Sequence, residues 1–146
     1  MAGPALGGII LSQWTAYHLG VKLHRPILSV YAEKKDGDLK LTRGYDTLVN
    51  GQNVVVVEDL TTTGGSLKQS ITAIQQAGGK VVAAAVMVNK NPHVVTSDSF
   101  GVPFFALAEM PIELYSAETC PLCKAGVPIN TTLGHGKAFV GRLKKA

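Results

Sequence analysis

The sequence has 146 residues, of which 46% are hydrophobic and 16% are charged. This composition is typical of a single globular domain and excludes a disordered chain. The net charge of +4 is too small and too scattered for a nucleic-acid-binding arm, and suits small anionic ligands at most. Apolar runs are short and the N-terminus lacks the basic start of a signal peptide. We therefore expect a cytoplasmic protein that binds neither nucleic acid nor membrane.

The first predicted element is a helix whose apolar side chains recur at helical spacing: Ile10, Leu11, Trp14 and Tyr17. Gly20 is expected to end this helix. A strand over residues 27–33 follows, and Asp36-Gly37 with the alternating segment after it predicts a hairpin across Gly37.

Two apolar segments, residues 53–59 and 81–88, predict strands that are buried on both faces. A helix is expected between them, ending at Gly78-Gly79, and a third strand is expected within VPFFALAEM. This order predicts an α/β fold with a mostly parallel twisted sheet flanked by helices. We expect one domain over residues 1–146, with an irregular C-terminal region from about residue 110.

The segment VVVVEDLTTTGGSL, from Val54 to Leu67, is the most informative motif. Ligands of open α/β sheets bind at the carboxyl ends of strands, where Glu58 and Asp59 emerge. The TTTGGS turn offers backbone N–H groups and hydroxyls to a phosphate at a helix N-terminus. The acids would repel phosphate, so they are expected to address sugar hydroxyls or a phosphate-bound Mg²⁺. The alternative is a plain turn that joins a strand to a helix.

This motif resembles the phosphoribosyl-pyrophosphate-binding motif of the type I phosphoribosyltransferases. Four further segments are similar, in the same order, to the orotate phosphoribosyltransferase branch: GPALGGI at Gly3, AEKKDGDLKLTRGY at Ala32, GVPFFAL at Gly101 and CPLCKAGVPI at Cys120. The resemblance implies a type I phosphoribosyltransferase fold. It also implies a homodimeric enzyme that uses phosphoribosyl pyrophosphate with Mg²⁺ and forms orotidine 5-monophosphate from orotate.

The resemblance assigns the phosphoribosyl-pyrophosphate site to one continuous run: Glu58, Asp59, Leu60, Thr61, Thr62, Thr63, Gly64, Gly65 and Ser66. In the family the two acids hold the ribose hydroxyls, and the residues from Thr61 to Ser66 surround the 5-phosphate. Thr62 matches a threonine that also contacts the base. Asp59 is expected to take part in catalysis.

Two further segments complete the site that the resemblance implies. The pyrophosphate loop corresponds to Ala5, Leu6, Gly7 and Gly8, although a structural turn is the alternative. Some family members carry a lysine in this loop, whereas here only backbone amides are available. The mobile catalytic loop, which reaches into the neighbouring subunit of the family dimer, supplies Lys34 and Lys35, with Lys40 and Arg43 as weaker choices. A solvated charged hairpin is the alternative for these cations.

The chain departs from the family pattern at two places. Asn89-Lys90 stands where the family has an arginine for the orotate carboxylate, and lysine lacks the bidentate fork of arginine. The strand before the pyrophosphate loop and the N-terminal hood over the base are expected to be missing, so that a truncated member, a natural minimal form and an incomplete sequence remain open. Three other functions also stay open: transfer to another base, a non-catalytic phosphoribosyl-pyrophosphate sensor, and an inactive partner subunit.

The cysteines and histidines give weaker signals. Cys120 and Cys123 have zinc-knuckle spacing, but a structural zinc site needs four ligands, so His135 or a second subunit would have to complete it. A proline-braced turn is favoured over a metal site, and no residue is assigned as a metal ligand. The other histidines are expected at the surface or in packing: His18, His24 and His93. The ending GRLKKA is expected to be a solvated basic tail.

Overall fold

The computed structural model of the protein describes residues 1–116, 118–133, 136, 140 and 141. The chain divides into two compact units, Met1–Ile112 and Glu113–Ala146. The strands are β1 (Ala2–Pro4), β2 (Val30–Lys35), β3 (Asp38–Leu41), β4 (Asn53–Thr61), β5 (Lys80–Asn89) and β6 (Phe104–Glu109). The helices are α1 (Gly7–Leu23), α2 (Tyr45–Val49), α3 (Gly65–Gln76) and α4 (Pro121–Lys124), with a 3₁₀ turn at Ser97–Ser99. None of the helices in the described ranges has the length and apolar character needed to cross a membrane.

The six strands form one sheet in the order β3-β2-β1-β4-β5-β6. Only β3 runs antiparallel, and the other four pairings are parallel. The structure therefore confirms the predicted α/β fold with a mostly parallel sheet and flanking helices. In such a sheet the loops that follow β1, β4 and β5 emerge at one edge.

The main core lies between the sheet and α3. Leu67, Ile71 and Ile74 of α3 recur at helical spacing and are buried against apolar side chains of β4 and β5. Full burial of a leucine or isoleucine side chain contributes roughly 1.5–3 kcal/mol. The packing of α3 therefore fixes where its N-terminus meets the end of β4.

The hairpin and the third strand are confirmed, whereas the first strand of the hairpin is shifted. The turn lies at Asp36-Gly37, whose φ angles are 56° and 94°, as a two-residue hairpin turn with positive φ at both central residues requires. The strand predicted over residues 27–33 instead spans Val30–Lys35. The prediction gave too little weight to the pairing of β2 with β3, which extends the strand through the lysines to the turn.

The prediction that Gly20 ends α1 is wrong, because the helix continues to Leu23 and is capped by His24 in the left-handed conformation. The backbone N–H of Arg25 donates to the carbonyl of Gly20 at 3.1 Å. A Cβ on Gly20 would lie 3.1 Å from the carbonyl oxygen of Arg25, so the glycine makes room for the returning chain. One glycine costs about 1 kcal/mol within a helix, which α1 tolerates.

The two faces of α1 differ in the size of their side chains. Gly8, Ser12 and Ala16 are buried, and Ser12 and Ala16 face the sheet beside β2. The large apolar side chains are more than half exposed and recur at helical spacing on another face: Ile10, Trp14, Tyr17 and Val21. This set is called the α1 apolar stripe below.

Two further expectations about strands are wrong. The strand before the pyrophosphate loop is present, since β1 pairs with both β2 and β4, although three residues including a glycine and a proline give no strand pattern. β5 is not buried on both faces: Val82 is 37% and Met87 is 45% exposed. The alanines and valines of β5 had suggested double burial, yet only one of its faces contributes to the core cluster.

Candidate active site

Three loops meet at the carboxyl edge of the sheet. The backbone N–H of Lys90, after β5, donates to the carbonyl of Thr61 at the end of β4 at 2.8 Å. The N–H of Ala5, after β1, donates to the carbonyl of Ala32 in β2, also at 2.8 Å. These bonds anchor the predicted phosphate and pyrophosphate loops to the rigid sheet, so their amides are held in place before a ligand arrives.

The predicted phosphate loop folds around its own side chains. Thr61 is buried, and its hydroxyl oxygen accepts a hydrogen bond from the N–H of Gly64 at 3.0 Å. The hydroxyl oxygen of Thr63 accepts a longer bond of 3.4 Å from the N–H of Gly65. Thr61 therefore shapes the loop, whereas Thr62, Thr63 and the amides that follow remain more accessible.

The N-terminus of α3 offers unused donors to this loop. The helix begins at Gly65 without a side-chain cap, and within the described residues the N–H groups of Ser66 and Leu67 find no acceptor. Gly64 precedes the helix with φ of 77°, and a Cβ there would lie 3.1 Å from the ring of Phe100. Backbone N–H groups and the positive end of a helix form an anion site. Sequence reasoning missed Phe100, because nothing near it in the sequence marks it as support for a distant glycine.

The two acids occupy different environments beside this loop. Asp59 is exposed, and one of its carboxylate oxygens accepts a hydrogen bond from the N–H of Leu60 at 2.8 Å. Glu58 is half-buried, and burial together with the nearby charge of Asp59 raises the pKa of Glu58 to about 7. The hydroxyl of Ser66 donates to Glu58 and acts in the opposite direction.

The glycines of the predicted pyrophosphate loop have two separate roles. A Cβ on Gly3 would lie 2.2 Å from the carbonyl oxygen of Gly8, and one on Gly8 would lie 2.6 Å from the ring of Pro4. These two glycines are needed for a tight turn, which was the alternative interpretation of this segment. Gly7 differs, because its Cβ would lie 2.5 Å from a carboxylate oxygen of Asp59. The loop backbone thus lies directly against the acid.

Among the remaining loop residues, Leu6 is 82% exposed, and the peptide bond between Ala5 and Leu6 is cis. The carbonyl of Leu6 accepts a hydrogen bond of 3.1 Å from the N–H of Ile9. The loop therefore presents its backbone, and not a charged side chain, to the carboxyl edge.

The four hairpin cations separate into two groups. Lys40 forms an ion pair of 3.0 Å with Asp36, and Arg43 pairs with Glu33 at 3.4 Å. The hydroxyl of Thr42 also donates to Glu33, and it lowers the pKa of this acid more than Arg43 does. Lys34 and Lys35 are exposed, and neither forms an ion pair with a residue that the structure describes. The catalytic role of Lys34 and Lys35 stays a prediction, because no contact joins either of them to the phosphate loop.

Asn89 and Lys90 also differ in how accessible they are to a ligand. Asn89 is 2% exposed. Its amide nitrogen donates to the carbonyl of Val95 at 2.9 Å, and its amide oxygen accepts from the N–H of Asn91 at 3.0 Å. Asn89 therefore organises the loop after β5, and its burial leaves Lys90 as the accessible member of the pair. Lys90 is partly exposed and keeps its ammonium available for an anionic one.

The described residues contain no cluster of three or more His, Cys, Asp or Glu side chains that could hold a metal ion. His135, the histidine that would extend the cysteine pair, lies outside these residues, as does most of the basic ending. The chemistry of this part of the chain is therefore that of two acids, two amide-rich loops and nearby cations.

The family model for the phosphoribosyl transferase domain matches residues 1–102. The chain belongs to the phosphoribosyltransferase family. This match covers every site residue from the pyrophosphate loop to Lys90.

Curated relatives point to one branch of this family. The chain is 39% identical to the orotate phosphoribosyltransferase of Caldanaerobacter subterraneus over 127 residues, which are 87% of this chain and 62% of the relative. It is 42% identical to the orotate phosphoribosyltransferase of Carboxydothermus hydrogenoformans, over 87% of this chain and 61% of the relative. The chain thus spans about 62% of the length of the curated relatives that it matches.

Solved structures of phosphoribosyltransferases share the fold. The orotate phosphoribosyltransferase of Mycobacterium tuberculosis in complex with phosphoribosyl pyrophosphate aligns with a TM-score of 0.57 at 26% identity, over 74% of this chain and 61% of that one. The adenine phosphoribosyltransferase of Thermoanaerobacter pseudethanolicus aligns with a TM-score of 0.61 at 23% identity, over 75% of this chain and 68% of that one. The second likeness shows the fold alone.

The raised pKa of Glu58 predicts a pH-dependent stability. Because the folded state holds this proton up to about pH 7, whereas the unfolded chain releases it near pH 4.5, the native state binds more protons between these values. The free energy of unfolding should therefore fall as pH rises through this window, by about 1–2 kcal/mol after solvent screening at a half-buried group.

Chemical denaturation at pH 5 and pH 8 measures this effect against Glu58→Gln, which carries no titrating group. The difference in unfolding free energy between the two proteins should shift with pH in favour of the glutamine variant. An unchanged difference would show that Glu58 titrates as in an unfolded chain.

Proposed function

We propose that this chain binds phosphoribosyl pyrophosphate at the carboxyl edge of its sheet and transfers the 5-phosphoribosyl group to a nucleobase, orotate in the first place. The approach of the Gly7 backbone to the carboxylate of Asp59 is the observation that carries this proposal. The carboxylate of Asp59 thus lies between two loops and can accept hydrogen bonds from sugar hydroxyls. The amides of these loops suit the two phosphate ends of one ligand. The curated relatives named orotate phosphoribosyltransferase support the choice of base.

The chemistry follows from this placement. Amides of the phosphate loop and of α3 bind the 5-phosphate, and Glu58 and Asp59 accept hydrogen bonds from the ribose hydroxyls. The bond from C1 to pyrophosphate breaks with its electron pair on the leaving oxygen. A ring nitrogen of the base forms the new bond to C1 and releases its proton to solvent. The two carboxylates lie close to the ribose that carries positive charge in an oxocarbenium-like state, and so they stabilise it.

The family implies Mg²⁺, and the described residues fit an ion that arrives with its ligand. Asp59 is an exposed oxygen donor, but one or two carboxylates are too few for a cage made by the protein alone. Mg²⁺ is commonly held by one or two carboxylates together with substrate phosphates. When bound, the ion neutralises charge on the departing pyrophosphate.

Base recognition is assigned to Thr62 and Lys90. The ammonium of Lys90 attracts the carboxylate of orotate but does not impose the planar geometry that an arginine fork would. This single charge favours a second candidate function, in which another base is the acceptor. Asn89 is held by hydrogen bonds within its own loop. Lys90 is therefore the residue at the end of β5 that can contact a base.

We also propose that the active form is a homodimer. The α1 apolar stripe exposes a tryptophan and a tyrosine, which are residue types enriched at the centres of interfaces. Lys34 and Lys35 are exposed on a hairpin and are free of the ion pairs that hold Lys40 and Arg43. These two lysines are therefore available to reach the pyrophosphate in the site of a second copy.

A base panel tests the function. With phosphoribosyl pyrophosphate and Mg²⁺, orotate should release pyrophosphate, and Asp59→Asn should lower kcat/KM at least about 100-fold, because it removes an acid placed next to the developing charge. Asp46→Asn, an exposed aspartate in α2, serves as the matched control and should retain activity. Release with another base and not with orotate would select the second candidate, and binding without any turnover would make the chain a sensor.

The Gly7 contact predicts a defect from a single methyl group. Gly7→Ala places a Cβ 2.5 Å from the Asp59 carboxylate, so the exposed carboxylate has to turn away from the loop. The KM for phosphoribosyl pyrophosphate should rise, because the acid then no longer lies between the two loops. Gly141→Ala is the control, because a Cβ there meets nothing within 4 Å. Wild-type kinetics in Gly7→Ala would contradict the proposed arrangement.

Hybrid dimers test whether the loop acts in the site of the partner. Lys34→Ala and Asp59→Asn should each be nearly inactive, whereas their mixture should regain about a quarter of wild-type activity. Half of the randomly formed dimers are hybrids, and each hybrid has one of its two sites intact. Subunit exchange is shown by giving one variant a size tag and detecting the dimer of intermediate size. If the mixture stays inactive after such exchange, the lysines act in the site of their own subunit or take no part in catalysis.

A further inference from the structure

A pair of thiols lies in the second unit and has no role in the proposed transferase site. CPLC contains the only two cysteines of the sequence, Cys120 and Cys123. Both are free thiols; Cys120 is partly exposed and Cys123 is exposed. Reagents in solvent therefore have access to the pair.

The backbone around the pair is fixed by local hydrogen bonds. Before it, the N–H of Cys120 donates to the carbonyl of Ser116 at 2.9 Å. After it, α4 begins at Pro121, and the N–H of Lys124 donates to the carbonyl of Cys120 at 3.1 Å. Residues three apart on a helical turn are neighbours in space, so the fold brings the two sulfurs together.

The two thiols are neighbours on one helical turn and are not equivalent. The nearby backbone N–H of Cys123, followed by the Cys123 thiol, lowers the pKa of the Cys120 thiol. The neighbouring Cys120 sulfur raises the pKa of the Cys123 thiol. Because the thiolate is the nucleophile, Cys120 is the more reactive member of the pair.

We propose that Cys120 and Cys123 form a reversible redox site that exchanges with low-molecular-weight disulfides such as oxidised glutathione. The thiolate of Cys120 attacks one sulfur of the disulfide, whose S–S bond breaks and releases one thiolate. The thiol of Cys123 then loses its proton to solvent and attacks Sγ of Cys120, and the second thiolate leaves. In total, two protein thiols are oxidised to one disulfide, and one small disulfide is reduced to two thiols.

A metal site fits the described residues less well than a disulfide. A structural zinc ion requires four ligands, and in the ranges that the structure covers these cysteines have no third His, Cys, Asp or Glu to form such a group. A disulfide requires only the two thiols, which lie on one helical turn. Retention of zinc by the purified full chain is therefore an outcome that would overturn the proposal.

The test uses the full chain, reduced and then incubated with mixtures of oxidised and reduced glutathione, quenched by alkylation and analysed by mass spectrometry. The expected product is the peptide with both cysteines, lighter by two hydrogens, with a proportion that follows the glutathione ratio and returns to zero on reduction. Cys123→Ser should accumulate a stable glutathione adduct on Cys120. Cys120→Ser should form its adduct more slowly at pH 7, because Cys123 lacks the backbone N–H groups that lower the pKa of the Cys120 thiol.

Three results would overturn the proposal. The first is a glutathione adduct that persists on wild-type Cys120 without forming a disulfide with Cys123. The second is an equal rate of adduct formation in the two serine variants. The third is a zinc ion that remains after dialysis and protects both thiols from alkylation. The base-panel assay on the same samples tests the transferase proposal independently. Neither cysteine belongs to the proposed transferase site, so the two proposals can fail separately.

Discussion

The candidate site depends on one close approach, between the backbone at Gly7 and the carboxylate of Asp59. It exists because β1 and β4 are parallel neighbours in the sheet, so that the loops after them emerge side by side. The Gly3–Gly8 contact tightens the first loop, and the bond from the Gly64 amide to Thr61 shapes the second. In the function proposed above, the acid between the two loops is what separates a sugar diphosphate from a simple phosphate.

The acid pair raises an electrostatic problem for the proposed function, since an anionic ligand would bind beside two carboxylates. The structure reduces the repulsion by making the two acids unequal. Glu58 is half-buried with its pKa raised to about 7, so near neutral pH a substantial fraction of it carries no charge. Asp59 is exposed and held by the amide of Leu60. One full negative charge with a partly neutral neighbour still accepts hydrogen bonds from hydroxyls, at a lower electrostatic cost.

The sequence predicted those parts whose pattern is local. β4 and α3 have a long apolar run and a clear helical face, and the motif between them led to the family that the family model matches. β1 was missed because three residues cannot show a period, and the end of α1 was misplaced because tertiary packing outweighed the propensity of Gly20. The contacts of Gly7 with Asp59 and of Gly64 with Phe100 join distant segments, and only the three-dimensional structure reveals them.

The tight turn before α1, in which Gly8 touches Gly3, also affects the outer surface of this helix. The helix begins at Gly7, directly after a loop in which Gly8 touches Gly3, so its first turn lies too near the sheet for a large side chain. Small residues continue along that face at Ser12 and Ala16. The large apolar residues of the helix are therefore left on the outside, as the α1 apolar stripe. The tight turn before the helix is therefore accompanied by an exposed apolar surface on α1.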